Sequence, residues 1–421
     1  MNFNSYNEKI IFYNVPIILF SLIPFFLITG PFLSDLAVSL ISLIFVIYCF
    51  KKKNYSYFRN KYFYFFLLFW SYLILNSLFI NYNIESLATS IFYLRYGVFI
   101  IGISSLLKVD DKFIRYFFYC IFICFTILIL DGFFQYFTGK NILGWENSSR
   151  TSSFFGEERI LGSYLSRLWP IFFGLSIFIF LKKSKLFYFL ILIFILSEAL
   201  IFLSGDRTAF LYINLSAIFV ILLSKKLLKL RLFTLFSSII LLFIISLINP
   251  TAKERVFDKT LNQMNIGEKK EGNEIYIFSK QHTHHYLTGY KMFKENKMFG
   301  VGVKNFRNLC NNDIYRVSKL SCSTHPHNYY IQILAETGII GFIFLIIILL
   351  YFCKFILMHL YLFFKGKYYF NDFEICILSG IIIYLWPFVP TGSFFNNWLN
   401  IIMIINLPFL IWIRQYKKID I

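Results

Sequence analysis

The run IIGFIFLIIILLYF, from Ile339 to Phe352, is apolar on every face. A strand spanning a membrane barrel alternates apolar and polar residues over about ten positions, so a run like this one specifies a helix. A spanning helix needs about 20 mostly apolar residues. Windows of that size recur along the whole chain, and twelve are counted, near 10–30, 32–50, 62–80, 87–107, 114–137, 160–181, 186–203, 208–224, 232–249, 329–352, 373–391 and 397–413. The first run is long and a second follows at once, which is not the pattern of a cleaved signal peptide. The expected fold is an all-α polytopic membrane protein with about twelve transmembrane helices: a bundle of about nine over 1–249, one large loop over 250–328, and about three more over 329–421.

Composition agrees, since 58% of the 421 residues are hydrophobic, 22% are aromatic and only 15% are charged. The net charge of +19, from 41 Lys and Arg against 22 Asp and Glu, invites a nucleic-acid reading. Its distribution argues otherwise. Basic clusters occupy alternate gaps between spans: Lys51, Lys52, Lys53, Arg59 and Lys61; Lys108, Lys112 and Arg115; Lys182, Lys183 and Lys185. Lys225, Lys226, Lys229 and Arg231, then Lys354, Lys365 and Lys367, then Arg414, Lys417 and Lys418 continue the series. Under the positive-inside rule those gaps and both termini are cytoplasmic and the other gaps are exported. No basic stripe interleaved with exposed aromatics marks a nucleic-acid surface, so no nucleic-acid partner is expected.

Two exported loops are long, Gly139 to about Arg159 and Pro250 to Asn328, and such lengths imply function. The second holds five of the six histidines (His282, His284, His285, His325 and His327) and thirteen Lys or Arg against seven Asp or Glu. Positive charge in an exported loop opposes the topology signal, and a polyanionic substrate is one reason to keep it. The loop also carries Cys310 and Cys322; in an oxidising compartment a pair this close in sequence is expected to be bridged.

The loop ends in THPHNYYIQILAETGIIGF (Thr324 to Phe342). As a helix beginning near Asn328, this puts Asn328, Gln332 and Glu336 on one stripe, which should face the bundle interior or a wet cavity. Gly338 and Gly341 follow and permit close backbone approach. A capped helix start with a structural stripe accounts for these residues equally well.

His327-Asn328 followed by Gly338-x-x-Gly341 resembles the signature of the O-antigen ligase superfamily, which includes O-antigen ligases, O-antigen polymerases and O-oligosaccharyltransferases. FFGEERILGSYLSR (154–167), SGDRTAFL (204–211) and FGVGVKNFRNLC (299–310) resemble other family segments, most nearly those of the ligases. The likeness covers about Arg150 to Phe342. One departure is that no arginine lies between Arg255 and Arg307, where members often carry a second functional one; His282, His285, Lys291 and Arg307 are candidates for its anion-binding role.

The resemblance implies a glycosyltransferase C-like bundle in the bacterial inner membrane with a periplasmic loop. Its implied reaction is metal-independent, inverting transfer of O-antigen from an undecaprenyl-diphosphate carrier to a lipid A-core sugar hydroxyl, without a cofactor. His327 is the expected base and Arg207 the expected diphosphate partner, because a guanidinium pairs bidentately with phosphate oxygens and stays charged. Arg150, Glu157, Arg159 and Arg167 are expected along the donor groove, and Asn328 and Glu336 along the reaction chamber. His325, two residues from His327, would point elsewhere on any regular backbone. Arg95, inside a span, needs a partner such as Asp131 or a carbonyl. HTHH and HPH could supply three nitrogens to zinc, although the resemblance implies no metal. A polymerase or protein O-oligosaccharyltransferase differs only in acceptor. A lipid-linked glycan transporter would show paired repeats with interrupted helices, and none is visible.

Overall fold

The computed structural model describes residues 1, 5–147, 150–180, 185–224, 228–248, 254, 258–266 and 276–415. Among them the chain is helical, with one isolated bridge between Lys140 and Glu146 and no strand. Among the described residues, nine helices are long and apolar enough to cross a membrane: α1 (Tyr6–Phe26), α2 (Pro31–Lys51), α3 (Lys61–Phe79), α4 (Ile84–Val109), α5 (Ile114–Thr138), α6 (Leu161–Phe180), α9 (228–247, within Leu228–Ile248), α13 (Tyr329–Phe364) and α15 (Asn397–Gln415). Between α6 and α9 lie α7 (Lys185–Leu203) and α8 (Arg207–Leu223); their apolar stretches, Tyr188–Leu203 and Arg207–Leu223, are shorter. The loop region contains α10 (Lys259–Gln263), α11 (Lys280–Glu295) and α12 (Phe306–Leu309).

The last of the shorter helices corrects an expectation. The window 373–391 is helical only over α14 (Asp372–Tyr384), and the chain then runs irregularly from Leu385 to Asn396. Pro387, Pro390 and Gly392 account for the stop, because proline lacks the amide a helix needs and restricts the residue before it. At the centre of the bundle α6 packs against α7, α8 and α14. Its Tyr164, Trp169 and Phe172 are fully buried, as expected of a helix with no lipid face over most of its length.

Two arginines inside the bundle, Arg95 and Arg231, are paired with carboxylates. Arg95 donates twice to Asp35 of α2, at 2.7 and 3.0 Å, rather than to Asp131. Asp131 instead accepts from Ser153 Oγ (2.5 Å), Ile142 N (3.0 Å) and Asn141 Nδ2 (3.4 Å), tying down the loop after α5. Arg231 departs from its expected place in a cytoplasmic gap: it is fully buried, pairs with Glu198 at 2.6 Å and stacks on Trp169 at 4.5 Å. Lys182, Lys183, Lys225, Lys226, Lys417 and Lys418 lie outside the described residues.

The two ends of the bundle differ. At one, Lys51 and Lys52 meet Glu8, Tyr13 meets Asp110, and Arg414 meets Glu374. At the other, the described parts of the long loop dock onto the turns that follow α3 and α14: Asn81 Nδ2 donates to Val301 O (3.0 Å), and Thr391 N to His327 O (2.8 Å).

That docking turns on a break in α13. Gly338 has φ +63°, and the carbonyls just before it lose their helical partners. Ala335 O and Glu336 O accept instead from Val301 N and Gly302 N, both at 2.9 Å, Thr337 O accepts from the Tyr72 hydroxyl, and Ile339 N donates to Lys297 O at 2.9 Å. Segment 297–302 thereby completes the broken ladder. The approach is so close that a Cβ on Gly338 would lie 2.3 Å from Met298 O, and one on Gly300 would lie 2.5 Å from the Glu336 carbonyl carbon. Gly338→Ala combines a left-handed backbone with this clash and is expected to cost about 2 kcal/mol or more. Thermal unfolding of the purified protein in detergent checks this; an unchanged melting temperature would mean that the loop does not depend on the break.

Candidate functional site

The site begins with the cap of α13. Asn328 accepts from Tyr330 N (3.0 Å) and Ile331 N (3.2 Å), while its Nδ2 donates to Pro387 O (2.8 Å). Gln332 and Glu336 follow on the same buried face. Gln332 Nε2 reaches Glu336 (3.1 Å) and Ser393 (3.0 Å), its Oε1 accepts from Phe394 N (2.8 Å), and Glu336 also accepts from Phe306 N (3.3 Å). The stripe therefore faces the interior. Its polar atoms are occupied by protein, so Asn328 and Glu336 hold the walls of the site together.

His327, just ahead of the cap, has φ +57°, a left-handed conformation that is uncommon for a residue with a Cβ. Its carbonyl accepts from Thr391 N (2.8 Å) and the Tyr286 hydroxyl (3.3 Å), which hold the turn in place. This geometry brings His325 back onto His327, with ring centroids 4.2 Å apart. The two rings do not diverge as they would on a regular backbone, because Pro326 and the left-handed His327 fold the chain between them.

Helix α11 contributes the other side. Ser279 caps it, accepting from His282 N (3.3 Å), and lies 2.8 Å from His282 Nδ1. His282 and His285, three residues apart, share a face, and each ring lies 5.3 Å from that of His327, edge-on for His282 and stacked for His285. Four imidazoles thus gather at one point. His285 is 1% exposed, and neither ring nitrogen has a hydrogen-bond partner. No described carboxylate pairs with any of the four. No group of three described His, Cys, Asp or Glu residues is arranged to hold a metal ion.

Burial, and then the like charge that neighbouring imidazoles would carry, pushes His325 down to about 3 and both His282 and His285 to about 4. His327 is lowered by burial, against an opposing hydrogen bond with the Thr391 backbone. All four rings are therefore neutral near pH 7, as a base must be.

Arginines adjoin the cluster. Arg207, the first residue of α8, is half-buried, donates to Gln263 Oε1 at 2.7 Å, and lies close enough to Arg150 and His282 for mutual repulsion. Arg150 Nε is buried without a partner. Arg167 is buried, stacked 4.6 Å over Tyr212, with Nε on Ser163 Oγ (3.1 Å) and Nη1 unpartnered. Arg159 is exposed. The other two anion-binding candidates have partners of their own, although Arg307 still lies close enough to His325 for repulsion. Lys291 is exposed and donates to Arg316 O (3.2 Å), and Arg307 pairs with Glu85 (3.4 Å). Cys310 and Cys322 are joined, with Cα atoms 5.2 Å apart, three residues ahead of His325.

Tyr286 and Thr391 were not foreseen from sequence. Tyr286 has a signal in hindsight, four residues after His282 on one helical face. Thr391 has only the Pro387, Pro390 and Gly392 break, which marks an irregular segment but not its partner.

Because folding lowers these histidine pKa values below the ordinary 6.5, the unfolded chain binds more protons between that value and about 4. Stability is therefore fully present above pH 6.5 and is lost as the pH falls through that window. Melting temperatures at pH 7.5 and pH 5 should differ, the acidic one being lower. The gap should narrow in His285→Phe, which removes one buried titrating ring. A gap that stays the same in the variant would mean that the cluster is not what acid attacks.

Comparison with known families gives one match: residues 190–346 fit the family model described as O-Antigen ligase. The match runs from within α7 to just past Gly341 and contains Arg207, α11 and all four clustered histidines. No curated protein matches the chain. Through this segment, which is over a third of its length, the chain is similar to the O-antigen ligase family.

Proposed function

We propose that the protein is an O-antigen ligase that transfers a glycan from an undecaprenyl-diphosphate carrier to a sugar hydroxyl of lipid A-core. The transfer takes place at the periplasmic face of the bacterial inner membrane. The observation that carries this reading is a set of neutral imidazoles, without carboxylate partners, set beside Arg207 and Arg150 at one end of an apolar bundle. Unpaired positive charge next to a buried base is costly in an isolated protein and suits a substrate that brings its own anion.

The chemistry follows from the donor. A sugar attached to a lipid diphosphate already has its leaving group, so the protein must remove the acceptor's proton and stabilise charge on the departing diphosphate. His327 takes the proton. Arg207 pairs with the diphosphate, with Arg150 beside it, at the end of the bundle where a lipid headgroup would sit. Attack on the face opposite the leaving group inverts the anomeric centre. No step calls for a metal ion.

The orientation follows the positive-inside rule, with Lys51 and Lys52 cytoplasmic and the histidine cluster on the other side. An acceptor chosen as lipid A-core rests on the likeness of the segments at 154–167, 204–211 and 299–310 to those of ligases. The likeness to the superfamily as a whole would suit a polymerase equally.

Complementation of a bacterial strain lacking its ligase tests the reading. Wild type should restore O-antigen on lipopolysaccharide. At matched membrane abundance, His327→Ala should lower transfer by about 10² to 10⁴-fold and Arg207→Ala by about 10²-fold, with Arg207→Lys recovering only part. Full transfer by both alanine variants would sink the assignment. A wild type that changes glycan chain length without attaching it would be a polymerase.

A further inference from the structure

We propose that His282 is a second catalytic imidazole, which takes over the acceptor's proton from His327 and presents it as positive charge to the departing diphosphate. The inference rests on the transfer reading above and gives His282, so far one of four candidates for an anion-binding role, a part in proton transfer. It also answers the missing arginine between Arg255 and Arg307: the second cation of the site is created during the reaction instead of being built in.

The placement of the ring is the starting point. His282 sits edge-on to His327, with centroids 5.3 Å apart, close enough for one nitrogen to hand a proton to the other when they face. Arg207, the expected diphosphate partner, is near enough to repel its charged form. The other two rings are placed differently. His285 is stacked nearly parallel to His327, at 22°, so it offers its face and not its nitrogens. His325 feels Arg307 instead, and Thr324 Oγ1 lies 2.9 Å from its Nδ1. Among the four clustered rings, His282 is the one that both adjoins the base edge-on and feels Arg207.

Its ring is also held in place. Ser279 Oγ engages Nδ1 at 2.8 Å while capping α11, which fixes the rotamer and leaves Nε2 for the reaction. The position is the third residue of a 16-residue helix, where the partial positive charge of the N-terminus opposes a resting imidazolium and favours a nearby anion. Burial, His327, His285 and Arg207 act in the same sense and push His282 down to about 4. The charged and titratable groups facing it are His327 ahead of α13, Arg207 of α8, and His285 and Tyr286 of its own helix.

The step balances. The acceptor O–H bond breaks as its oxygen bonds to the anomeric carbon, and the proton passes to His327 and on to His282. The bond from the anomeric carbon to phosphate oxygen breaks with its electron pair leaving on the diphosphate, which gains one negative charge. The imidazolium at 282 appears beside that charge in the same event, so the ring is neutral when the donor binds and cationic when it departs.

The test uses full-length protein in liposomes with undecaprenyl-diphosphate-linked oligosaccharide as donor and lipid A-core as acceptor. Rates are measured across about pH 5 to 9. His282→Gln should lower kcat about 10²-fold while leaving the donor KM nearly unchanged, because the lost interaction exists only as the bond breaks. His282→Arg, with a permanent charge and no basic nitrogen, should lower the donor KM without recovering the wild-type kcat. Wild-type kcat in His282→Gln at every pH overturns the proposal, as does a loss confined to KM. If His282→Gln does not fold, Ser279→Ala keeps the ring and frees it; a fall in kcat alone supports the proposal and an unchanged kcat overturns it. His327→Ala in the same assay separates the two readings. If that variant is inactive while His282→Gln is normal, only the role of His282 fails, whereas an active His327→Ala removes the base on which both depend.

Discussion

Much of the structure depends on backbone hydrogen bonds exchanged at the break in α13. A helix in or near lipid must satisfy every amide and carbonyl from within the protein, because no water is there to do so. At Gly338 the ladder is interrupted, and segment 297–302 supplies the missing donors and the missing acceptor. Asn76 reinforces the exchange from α3, donating to Phe299 O at 2.7 Å and accepting from Val303 N at 3.2 Å. The long loop is therefore joined to the bundle as a continuation of its backbone bonding. From that seam α11 packs along the first turns of α13, so closely that a Cβ on Gly289 would meet Ile331 at 2.7 Å. The contact sets His282 and His285 against His327. A site made by two separate segments gains the precision of regular elements in this way.

Electrostatics divides the molecule along the same line. Within the bundle the arginines at 95 and 231 each have a carboxylate, as a medium of low dielectric demands. At the site, Arg207, Arg150 and four imidazoles adjoin one another, and no described carboxylate pairs with the imidazoles. A fold that gives Arg95 and Arg231 a carboxylate, and gives the described cations of the site none, spends stability there for a purpose. Neutral rings limit that expense, since burying them uncharged costs far less than burying cations.

Sequence made the helical class legible because lipid enforces a crude and long-range pattern, about 20 apolar residues at a time. The stripe of Asn328, Gln332 and Glu336 was legible for a related reason: a polar face on an apolar helix has only the interior to turn to, and all three are buried. What escaped was set by irregular backbone. The contact of His325 with His327 depends on one left-handed residue, and sequence periodicity carries no such information. Arg95 does donate to a carbonyl, that of Phe92 at 2.6 Å, but its carboxylate is Asp35 and not Asp131, because both lie in apolar helices and only tertiary packing decides which helix is adjacent. Arg231 was read as a loop cation because it follows three lysines, yet helix α9 carries it under Trp169 to Glu198.

The segment from Leu385 to Asn396 shows why such irregularity belongs at this end of the bundle. Non-helical backbone at membrane depth persists only where it is buried in protein or lines a wet cavity. Here its polar atoms are spent on the site: Thr391 N on His327 O, Pro387 O on Asn328, Phe394 N and Ser393 Oγ on Gln332. A left-handed residue with a Cβ costs about 1–2 kcal/mol, and it persists only when its surroundings over-determine it. Thr391 and Tyr286, from opposite sides, converge on the one carbonyl that fixes His327 in that state. A regular helix continued through 391 could present no free amide there. The prolines that cut α14 short are thus what allow the chain to hold its base in place.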